Sequence, residues 1–290
     1  MNALSHQRRR AAVAIAAGVV VSAGLAAPAA TASPAPLNYV AMGDSYSAGS
    51  GILPLSDATP LCTQSSLNSA HVIAAAKSFA LTDVSCGGAT TGDFAGKQFG
   101  VVAPQLNALS TSTDLVTMTI GGNDNNTFVS MIAACGSAGM ATLGFGSPCK
   151  ALYGDSFANS INNSTYPNLV AALKSVRAKA PNARVAIAGY PHVMPADNSS
   201  CFAVMPIASG DVAYVNSIEA TLNSAVQRAA AESGVTYVDM SAPTVGHDAC
   251  KPVGTRWVEP AIGGTNYVPV HPNAAGEKAY ADQYIARLGL

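Results

Sequence analysis

The chain has 290 residues, which is enough for one large domain or two small ones. Only 11% of its residues are charged and the formal net charge is −1, so no broad basic surface is expected. No basic block follows the first ten positions, and this excludes nucleic acid as an expected partner. Nothing after Ala32 is long and apolar enough to cross a bilayer, so we predict no membrane span there.

The first 32 residues have the pattern of a secretory signal peptide. Residues 1–10 are basic, residues 11–27 are almost entirely apolar, and Ala30-Thr31-Ala32 is a small-x-small cleavage pattern. The alternative is a membrane anchor, but this apolar run is at the lower limit for a span. We predict cleavage after Ala32 by the general secretory route, with twin-arginine export as the alternative. The exported chain of 290 − 32 = 258 residues then has 12 basic and 16 acidic residues, a net charge of −4.

All six cysteines lie in the part of the chain that we expect to be exported. They are Cys62, Cys86, Cys135, Cys149, Cys201 and Cys250. An even number of cysteines in an oxidising compartment predicts three disulfides, although their spacing leaves the connectivity open. None of the spacings is typical of a zinc site, so we predict no metal.

Short apolar runs alternate with helical patterns along the rest of the chain. The predicted strands are 37–42, 81–85, 115–120, 184–189 and 235–239. The predicted helices are 67–79, 166–179, 212–232 and 273–288. This alternation predicts one α/β domain, Ser33–Leu290, with a parallel sheet covered on both faces. The Gly/Ser/Pro-rich segment from Cys135 to Cys149 is predicted to be a loop.

Conspicuous polar motifs follow the first three predicted strands, where a parallel sheet gathers functional groups. Gly43-Asp44-Ser45 follows the first strand and places a serine on a tight turn. The alternative for Ser45 is a helix N-cap. The second motif contains Gly88, and the third contains Asn123, whose side chain offers an oxyanion donor. Both of these could also be ordinary turns.

The fourth motif, His271-Pro272-Asn273, stands directly before the last predicted helix. Proline and asparagine are typical of helix starts, so His271 would be fixed at a helix entry as a general base requires. A single histidine is more often structural than catalytic. The other histidines lie in the signal segment, in a helical pattern or in Pro/Gly-rich loops: His6, His71, His192 and His247.

Taken in this order and spacing, the four motifs resemble the SGNH (GDSL) hydrolase family, which is named for the Ser, Gly, Asn and His of its blocks. Those residues match Ser45, Gly88, Asn123 and His271. The match covers nearly all of the predicted domain. Within the family, the six cysteines and the opening Tyr-Val-Ala-Met-Gly-Asp-Ser-Tyr-Ser are similar to secreted bacterial esterases, lipases and phospholipases A.

The resemblance implies a flavodoxin-like three-layer α/β/α sandwich that hydrolyses carboxylic esters, of lipids or of short acyl groups. Ser45 would be the nucleophile and His271 the general base, with an oxyanion hole formed by the Ser45 N–H, the Gly88 N–H and the Asn123 side chain. No metal or organic cofactor is implied, and we expect a monomer. The disulfides that the resemblance implies are Cys62–Cys86, Cys135–Cys149 and Cys201–Cys250.

One position departs from the family pattern. The family usually carries aspartate three residues before its histidine, and Val268 occupies that position here. Some secreted relatives use a backbone carbonyl instead, so we expect the carbonyl of Val268 to orient His271 in a Ser–His dyad. The alternative is a distant carboxylate: Asp44, Asp239, Asp248 or Glu259.

Three other functions compete with this interpretation. An α/β-hydrolase would require G-x-S-x-G with the serine well inside the chain, whereas Ser47 stands at the second glycine position here. A carbohydrate acetyl esterase would use the same site on a different ester. A non-catalytic secreted binding domain could keep the fold, but it would have no reason to hold Ser, Gly, Asn and His together.

Overall fold

Five strands within the described residues form one parallel sheet. The computed structural model describes residues 35–56 and 60–290, together with positions 12 and 14, and Pro36–Leu290 forms one compact unit. The predicted signal peptide and its cleavage site lie outside the described residues. The strands are β1 Asn38–Ala41, β2 Ala80–Asp83, β3 Leu115–Met118, β4 Arg184–Ala188 and β5 Thr236–Val238.

The strand order is β2-β1-β3-β4-β5, and every neighbouring pair is parallel. The chain adds β2 on one side of β1 and β3 on the other, so the direction of winding reverses between β1 and β3. In open α/β sheets, ligands bind outside the carboxyl ends of the strands at such a reversal. The order confirms the predicted flavodoxin-like α/β fold.

Eight α-helices within the described residues surround the sheet. They are α1 Ser45–Ala48, α2 Ser69–Lys77, α3 Thr127–Ala141, α4 Pro148–Tyr153, α5 Ser156–Ser160, α6 Tyr166–Lys179, α7 Val212–Glu232 and α8 Ala274–Leu288. All four residues of β3 are buried, which requires cover on both faces of the sheet. Helix α2 packs against α8, and α6 packs against α7.

Short 3₁₀ and π turns complete the secondary structure of the described residues. The 3₁₀ turns are Pro60–Cys62, Thr91–Phe94, Gln105–Ala108, Asp124–Asn126 and Ser209–Asp211, and the π turn is Ile161–Thr165. No helix in the described part of the chain combines the length and the hydropathy that crossing a bilayer requires.

The prediction of a loop from Cys135 to Cys149 was wrong, because α3 continues to Ala141 and α4 begins at Pro148. Its glycines suggested a loop, but Gly139 lets the helix pack closely. A Cβ atom there would lie 2.2 Å from the carbonyl oxygen of Pro206. Tertiary packing therefore overrides the low helix propensity of glycine in this segment.

The structure joins the six cysteines in three disulfides, and each is the pairing that the resemblance implies. They are Cys62–Cys86, Cys135–Cys149 and Cys201–Cys250. The first ties the loop after α1 to the segment after β2, which carries Gly88. The second ties α3 to α4, and the third ties two long loops on the β4–β5 side of the sheet.

Gly43 makes the sharp exit from β1 possible. Its φ is +115°, and a Cβ atom there would lie 2.2 Å from the carbonyl oxygen of Thr119. The side chain of Gln105 accepts a hydrogen bond from the Gly43 N–H at 2.7 Å and donates to its carbonyl at 2.9 Å. These contacts fix the backbone just before Ser45.

Gly43→Ala should lower the free energy of unfolding by about 2–4 kcal/mol, because backbone strain and a steric clash add together. Gly254→Ala is the matched control, since its φ is +88° but nothing lies within 4 Å of a Cβ atom there. The control should cost about 1 kcal/mol from strain alone. Urea denaturation of both variants measures the difference, and equal losses would contradict the role given to the close packing at Gly43.

Candidate active site

Ser45 begins α1 at the carboxyl end of β1. The N-cap residue is Asp44, whose side chain accepts a hydrogen bond from the Tyr46 N–H at 3.0 Å. Ser45 is 9% exposed as a residue, and its backbone N–H has no hydrogen-bond partner among the described residues. The N-cap interpretation of Ser45 is therefore wrong, because Asp44 takes that role and leaves the serine hydroxyl free for another partner.

Asp44 also holds this turn in place through its buried carboxylate. Its carboxylate also accepts hydrogen bonds from the hydroxyls of Thr119, at 2.7 Å, and of Tyr190. Tyr190 in turn accepts from the Gly122 N–H at 2.9 Å. Burial raises the pKa of Asp44 to about 6, although these hydrogen bonds oppose the shift. The network joins the turn after β1 to the segments after β3 and β4, and its buried polar groups satisfy one another.

His271 lies 226 residues after Ser45 in the sequence, but the fold brings its Nε2 atom to 2.8 Å from the Ser45 Oγ. The loop that carries it is held by Glu259, whose carbonyl accepts from the Val270 N–H and whose N–H donates to the His271 carbonyl. The hydroxyl of Tyr46 donates to the Val270 carbonyl at 2.7 Å. The ring of Tyr46 also packs against the imidazole, with 5.0 Å between centroids.

The Nδ1 atom of His271 lies 2.8 Å from the carbonyl oxygen of Pro269. A carbonyl can only accept, so Nδ1 carries the proton and Nε2 is left to accept the proton of Ser45. The expectation that Val268 provides this carbonyl was wrong by one residue. Val270 has a φ of +57°, an unusual conformation for a β-branched residue, and the turn that it makes brings the carbonyl of Pro269 to the ring.

The four candidate carboxylates bond elsewhere. Glu259 accepts from Arg256, Thr265 and Asn273, and Asp239 accepts from Ser241 and Ala242. Asp248 accepts from the Cys250 N–H, and Asp44 is engaged as described above. None of the four makes a hydrogen bond to His271 within the described residues.

Burial lowers the pKa of His271 below the usual 6.5 of an imidazole, although the hydrogen bond to Pro269 opposes this shift. The lowered pKa and the absence of a carboxylate at Nδ1 both favour the neutral form of the imidazole. A neutral imidazole is the form that can take a proton from serine.

The two segments that follow β2 and β3 are tied together beside Ser45. The side-chain Nδ2 of Asn123 donates to the Ala89 carbonyl at 3.0 Å, and Thr91 donates through its N–H and its hydroxyl to Asp124. Gly88 has a φ of +77°, and its N–H has no partner in the part of the chain that the structure describes. Asn123 also retains a second N–H on its amide. Free donors on these residues are what an oxyanion requires.

A cavity of about 240 Å³ lies in front of the Ser45–His271 pair. Its walls are mainly apolar and come from the first turns of α3, from the segment after β4 and from the His271 loop. The side chains that form them are Phe128, Val129, Ile132, Ala133, Tyr190, Ala261, Pro269 and Val270. Asn123 lies at the same cavity. An apolar cavity with a few convergent polar groups is the usual form of a small-molecule site.

The other described histidines have different partners. His71 bonds to Asn68, and His247 stacks on Trp257 and bonds to the Thr255 carbonyl. His192 pairs with buried Glu219 at 2.9 Å in a separate polar groove of about 760 Å³ along β5. Only His271, of these four, contacts a serine hydroxyl through a ring nitrogen. No described cluster of three or more His, Cys, Asp or Glu side chains has the arrangement of a metal site.

Sequence reasoning missed three residues that position this site. Tyr46 fixes the His271 loop, Tyr190 links Asp44 to Gly122, and Pro269 orients the imidazole. Tyr46 directly follows Ser45 in the sequence, but its partner carbonyl lies 224 residues away, and no local pattern indicates such a contact.

The chain matches the model of the GDSL-like Lipase/Acylhydrolase family over residues 41–279. "Lipase 2" of Streptomyces coelicolor is 56% identical over 255 residues, which cover 88% of this chain and 86% of that protein. "Lipase 1" of the same organism is 31% identical and covers 82% of each chain.

Two solved structures of similar fold are also lipolytic enzymes of Streptomyces. The phospholipase A1 of Streptomyces albidoflavus NA297 superposes with a TM-score of 0.72 at 32% identity, covering 87% of this chain and all of that one. The extracellular lipase of Streptomyces rimosus also superposes with a TM-score of 0.72, at 27% identity, covering 87% of this chain and 99% of that one.

The sheet order and the serine at the carboxyl end of β1 define an SGNH-type hydrolase. The chain belongs to the GDSL-like Lipase/Acylhydrolase family, and it is an ester hydrolase. The prediction of the family is therefore confirmed, and the α/β-hydrolase and the non-catalytic binding domain are excluded.

Tyr46→Phe should lower kcat by about 10- to 100-fold with little change in KM, because a small displacement of the base slows proton transfer more than it weakens binding. Tyr284→Phe is the matched control, since its buried hydroxyl also donates to a main-chain carbonyl, that of Met118 at 2.7 Å. Both variants should lose similar stability. Steady-state kinetics on a soluble ester should separate them, and an equal loss of kcat would show a general structural effect.

The acid limb of the kcat/KM profile should have its midpoint below pH 6.5, because burial lowers the pKa of His271 and only its neutral form accepts a proton. Activity should therefore persist as the pH falls until it reaches this lowered pKa. Burial raises the pKa of Asp44 to about 6, close to this limb, so Asp44→Asn is the control, and its profile should keep the acid limb. A midpoint above 6.5, or loss of the limb in Asp44→Asn, would argue against His271.

Proposed function

We propose that the chain is an exported lipase or esterase that hydrolyses carboxylic esters through an acyl-enzyme on Ser45. The observation that carries this proposal is the 2.8 Å contact between Nε2 of His271 and Oγ of Ser45, with the Nδ1 proton fixed by Pro269. A serine hydroxyl is a weak nucleophile until an adjacent base accepts its proton. The pair supplies this base without a carboxylate.

The reaction would begin with attack of the Ser45 Oγ on the ester carbonyl carbon, while His271 Nε2 takes the hydroxyl proton. The carbonyl oxygen becomes an oxyanion, which the N–H groups of Ser45 and Gly88 and the amide of Asn123 would bind. His271 then returns the proton to the leaving alcohol as the C–O bond breaks. A water molecule attacks the acyl-enzyme with His271 again as base, which releases the acid and restores the serine.

The cavity favours an acyl chain over an acetylated sugar as the group next to Ser45. Most of its walls are aliphatic or aromatic. Its ionisable and amide side chains are His271, Asn123 and Asp44, and the Asp44 carboxylate already accepts other hydrogen bonds. A sugar would need further hydrogen-bonding partners to replace its lost hydration. A lipid or other fatty-acyl ester is therefore the proposed substrate. We propose that the enzyme acts on it as a monomer, without a metal or organic cofactor.

Ser45→Ala should abolish ester hydrolysis and labelling by a serine-directed phosphonate, while circular dichroism remains native.

Asn123→Ala should lower kcat by about 10²–10³-fold, because the lost donor acts mainly in the transition state. Asn182→Ala is a matched control, since its amide also donates to a backbone carbonyl, that of Thr111 at 3.0 Å. The assay uses p-nitrophenyl esters from acetyl to palmitoyl. Substantial activity in Ser45→Ala would refute the mechanism.

Export and oxidation should both be visible in the mass of the protein recovered from culture medium. The exported form should begin at Ser33, by the small-x-small pattern before that residue. Peptide mapping without reduction should give three cross-linked pairs and no free thiol, because export delivers the chain to an oxidising compartment. A start far from Ser33, retention in the membrane or any free thiol would contradict the proposal.

A further inference from the structure

The chain has no charged residue between Asp124 and Lys150, over 25 consecutive positions. We call residues 125–149 the uncharged segment. It contains helix α3, the turn that follows it and the first two residues of α4. A helix at the surface of a soluble protein normally places charged residues on its outer face, and α3 has none.

The exposed side of helix α3 is mainly apolar, although Ser137 is exposed on it and Asn125 and Asn126 are exposed before the helix. Val129, Ala133 and Met140 lie four and seven residues apart, so they share one face of α3, and all three are exposed. Beyond the helix, Leu143 is 77% exposed and Phe145 is 74% exposed. Large apolar side chains left in water next to one another typically mark an interaction surface.

Three of the five hydroxyl groups of the segment do not offset this apolar character. Ser137 donates to the Ala133 carbonyl at 2.8 Å, and Ser130 and Thr142 donate to carbonyls of the preceding turn in the same way. A side chain that bonds back to its own helix has no free O–H to offer to a partner. The segment therefore presents mainly hydrocarbon to whatever lies against it.

The exposed face is continuous with the cavity at Ser45. Val129 and Ala133 belong to both, because they line the cavity and are also exposed to solvent. The apolar surface thus runs from the mouth of the cavity, along α3, to Leu143 and Phe145. A surface that only stabilised the fold would have no reason to open into the reactive cavity.

We propose that the uncharged segment docks the enzyme on a surface of zwitterionic lipid, from which an acyl chain passes along α3 to Ser45. This inference rests on the proposed function and names the physical state of its substrate. The exported chain has a net charge of 12 − 16 = −4, which repels an anionic surface. The segment also offers no charge to lipid headgroups, so its attraction to lipid is hydrophobic and insensitive to salt.

Binding to vesicles of phosphatidylcholine tests the proposal in a Ser45→Ala background, where no lipid is hydrolysed. The double variant Leu143→Glu/Phe145→Glu should bind at least tenfold more weakly, because the two apolar side chains that would enter the lipid are replaced by charged ones. The matched control is Val245→Glu/Val253→Glu, which adds the same charge at two exposed apolar positions outside the segment. The control should bind within twofold of the parent, at low and at high salt.

Kinetics with active Ser45 separate this inference from the proposed function. Leu143→Glu/Phe145→Glu should hydrolyse vesicle lipid at least tenfold more slowly, and should hydrolyse dissolved p-nitrophenyl acetate at the parent rate. If the mechanism is wrong, p-nitrophenyl acetate hydrolysis survives in Ser45→Ala, whatever the vesicles show. If the charged variant loses native circular dichroism, Leu143→Ser/Phe145→Ser replaces it with the same expectation.

Several results would overturn the proposal. They are failure of the parent to bind phosphatidylcholine vesicles, equal losses in the variant and in the control, and binding that requires an anionic lipid. The uncharged segment could instead bind a second copy of the chain, and sedimentation equilibrium tests this alternative. A dimer that Leu143→Glu/Phe145→Glu dissociates while vesicle binding persists would make the segment a contact between copies instead.

Discussion

The hydrogen bond between the Ser45 Oγ and Nε2 of His271 depends on the main chain more than on charged side chains. The serine is held by the turn after β1, and the histidine by a loop that precedes α8. Two backbone hydrogen bonds to Glu259, one from Tyr46 to Val270 and one from His271 to Pro269 fix that loop. The proposed catalytic pair therefore relies on the geometry of loops that the sheet and α8 anchor.

This arrangement affects the electrostatics of the base. A carboxylate at Nδ1 would stabilise the imidazolium, whereas a carbonyl orients the ring without adding a full charge. Burial and the missing charge both favour neutral imidazole, which agrees with the lowered pKa of His271. In the proposed mechanism the imidazolium would be correspondingly less stabilised, so more of the stabilisation of the transition state would fall on the oxyanion hole.

Much of the fold followed from the sequence because its signals are local. The apolar runs located all five strands, and the helical patterns at 166–179 and 212–232 coincide with α6 and α7. Helix α3 could not be recognised, because Gly136 and Gly139 lower its intrinsic propensity, and the close packing of Gly139 against Pro206 depends on tertiary structure. The order of the four motifs indicated the site, since parallel strands bring their carboxyl ends to one edge.

The orientation of His271 was only partly accessible from the sequence. The usual triad partner was excluded by the identity of a single residue, because position 268 holds valine instead of an acid. The identity of the carbonyl depends on the positive φ of Val270 and on contacts with Tyr46 and Glu259, which are distant in sequence. Nothing local distinguishes Pro269 from Val268 as the acceptor.

We propose that a main-chain carbonyl, and no carboxylate, orients His271 as the general base. The most direct measurement is kcat for Asp44→Asn, Asp239→Asn, Asp248→Asn and Glu259→Gln, each compared with the parent and checked for native structure by circular dichroism. The geometry predicts that no natively folded variant approaches the loss of about 10⁴-fold that follows removal of a triad acid. A loss of that size in any one of them would restore a full triad and contradict the account.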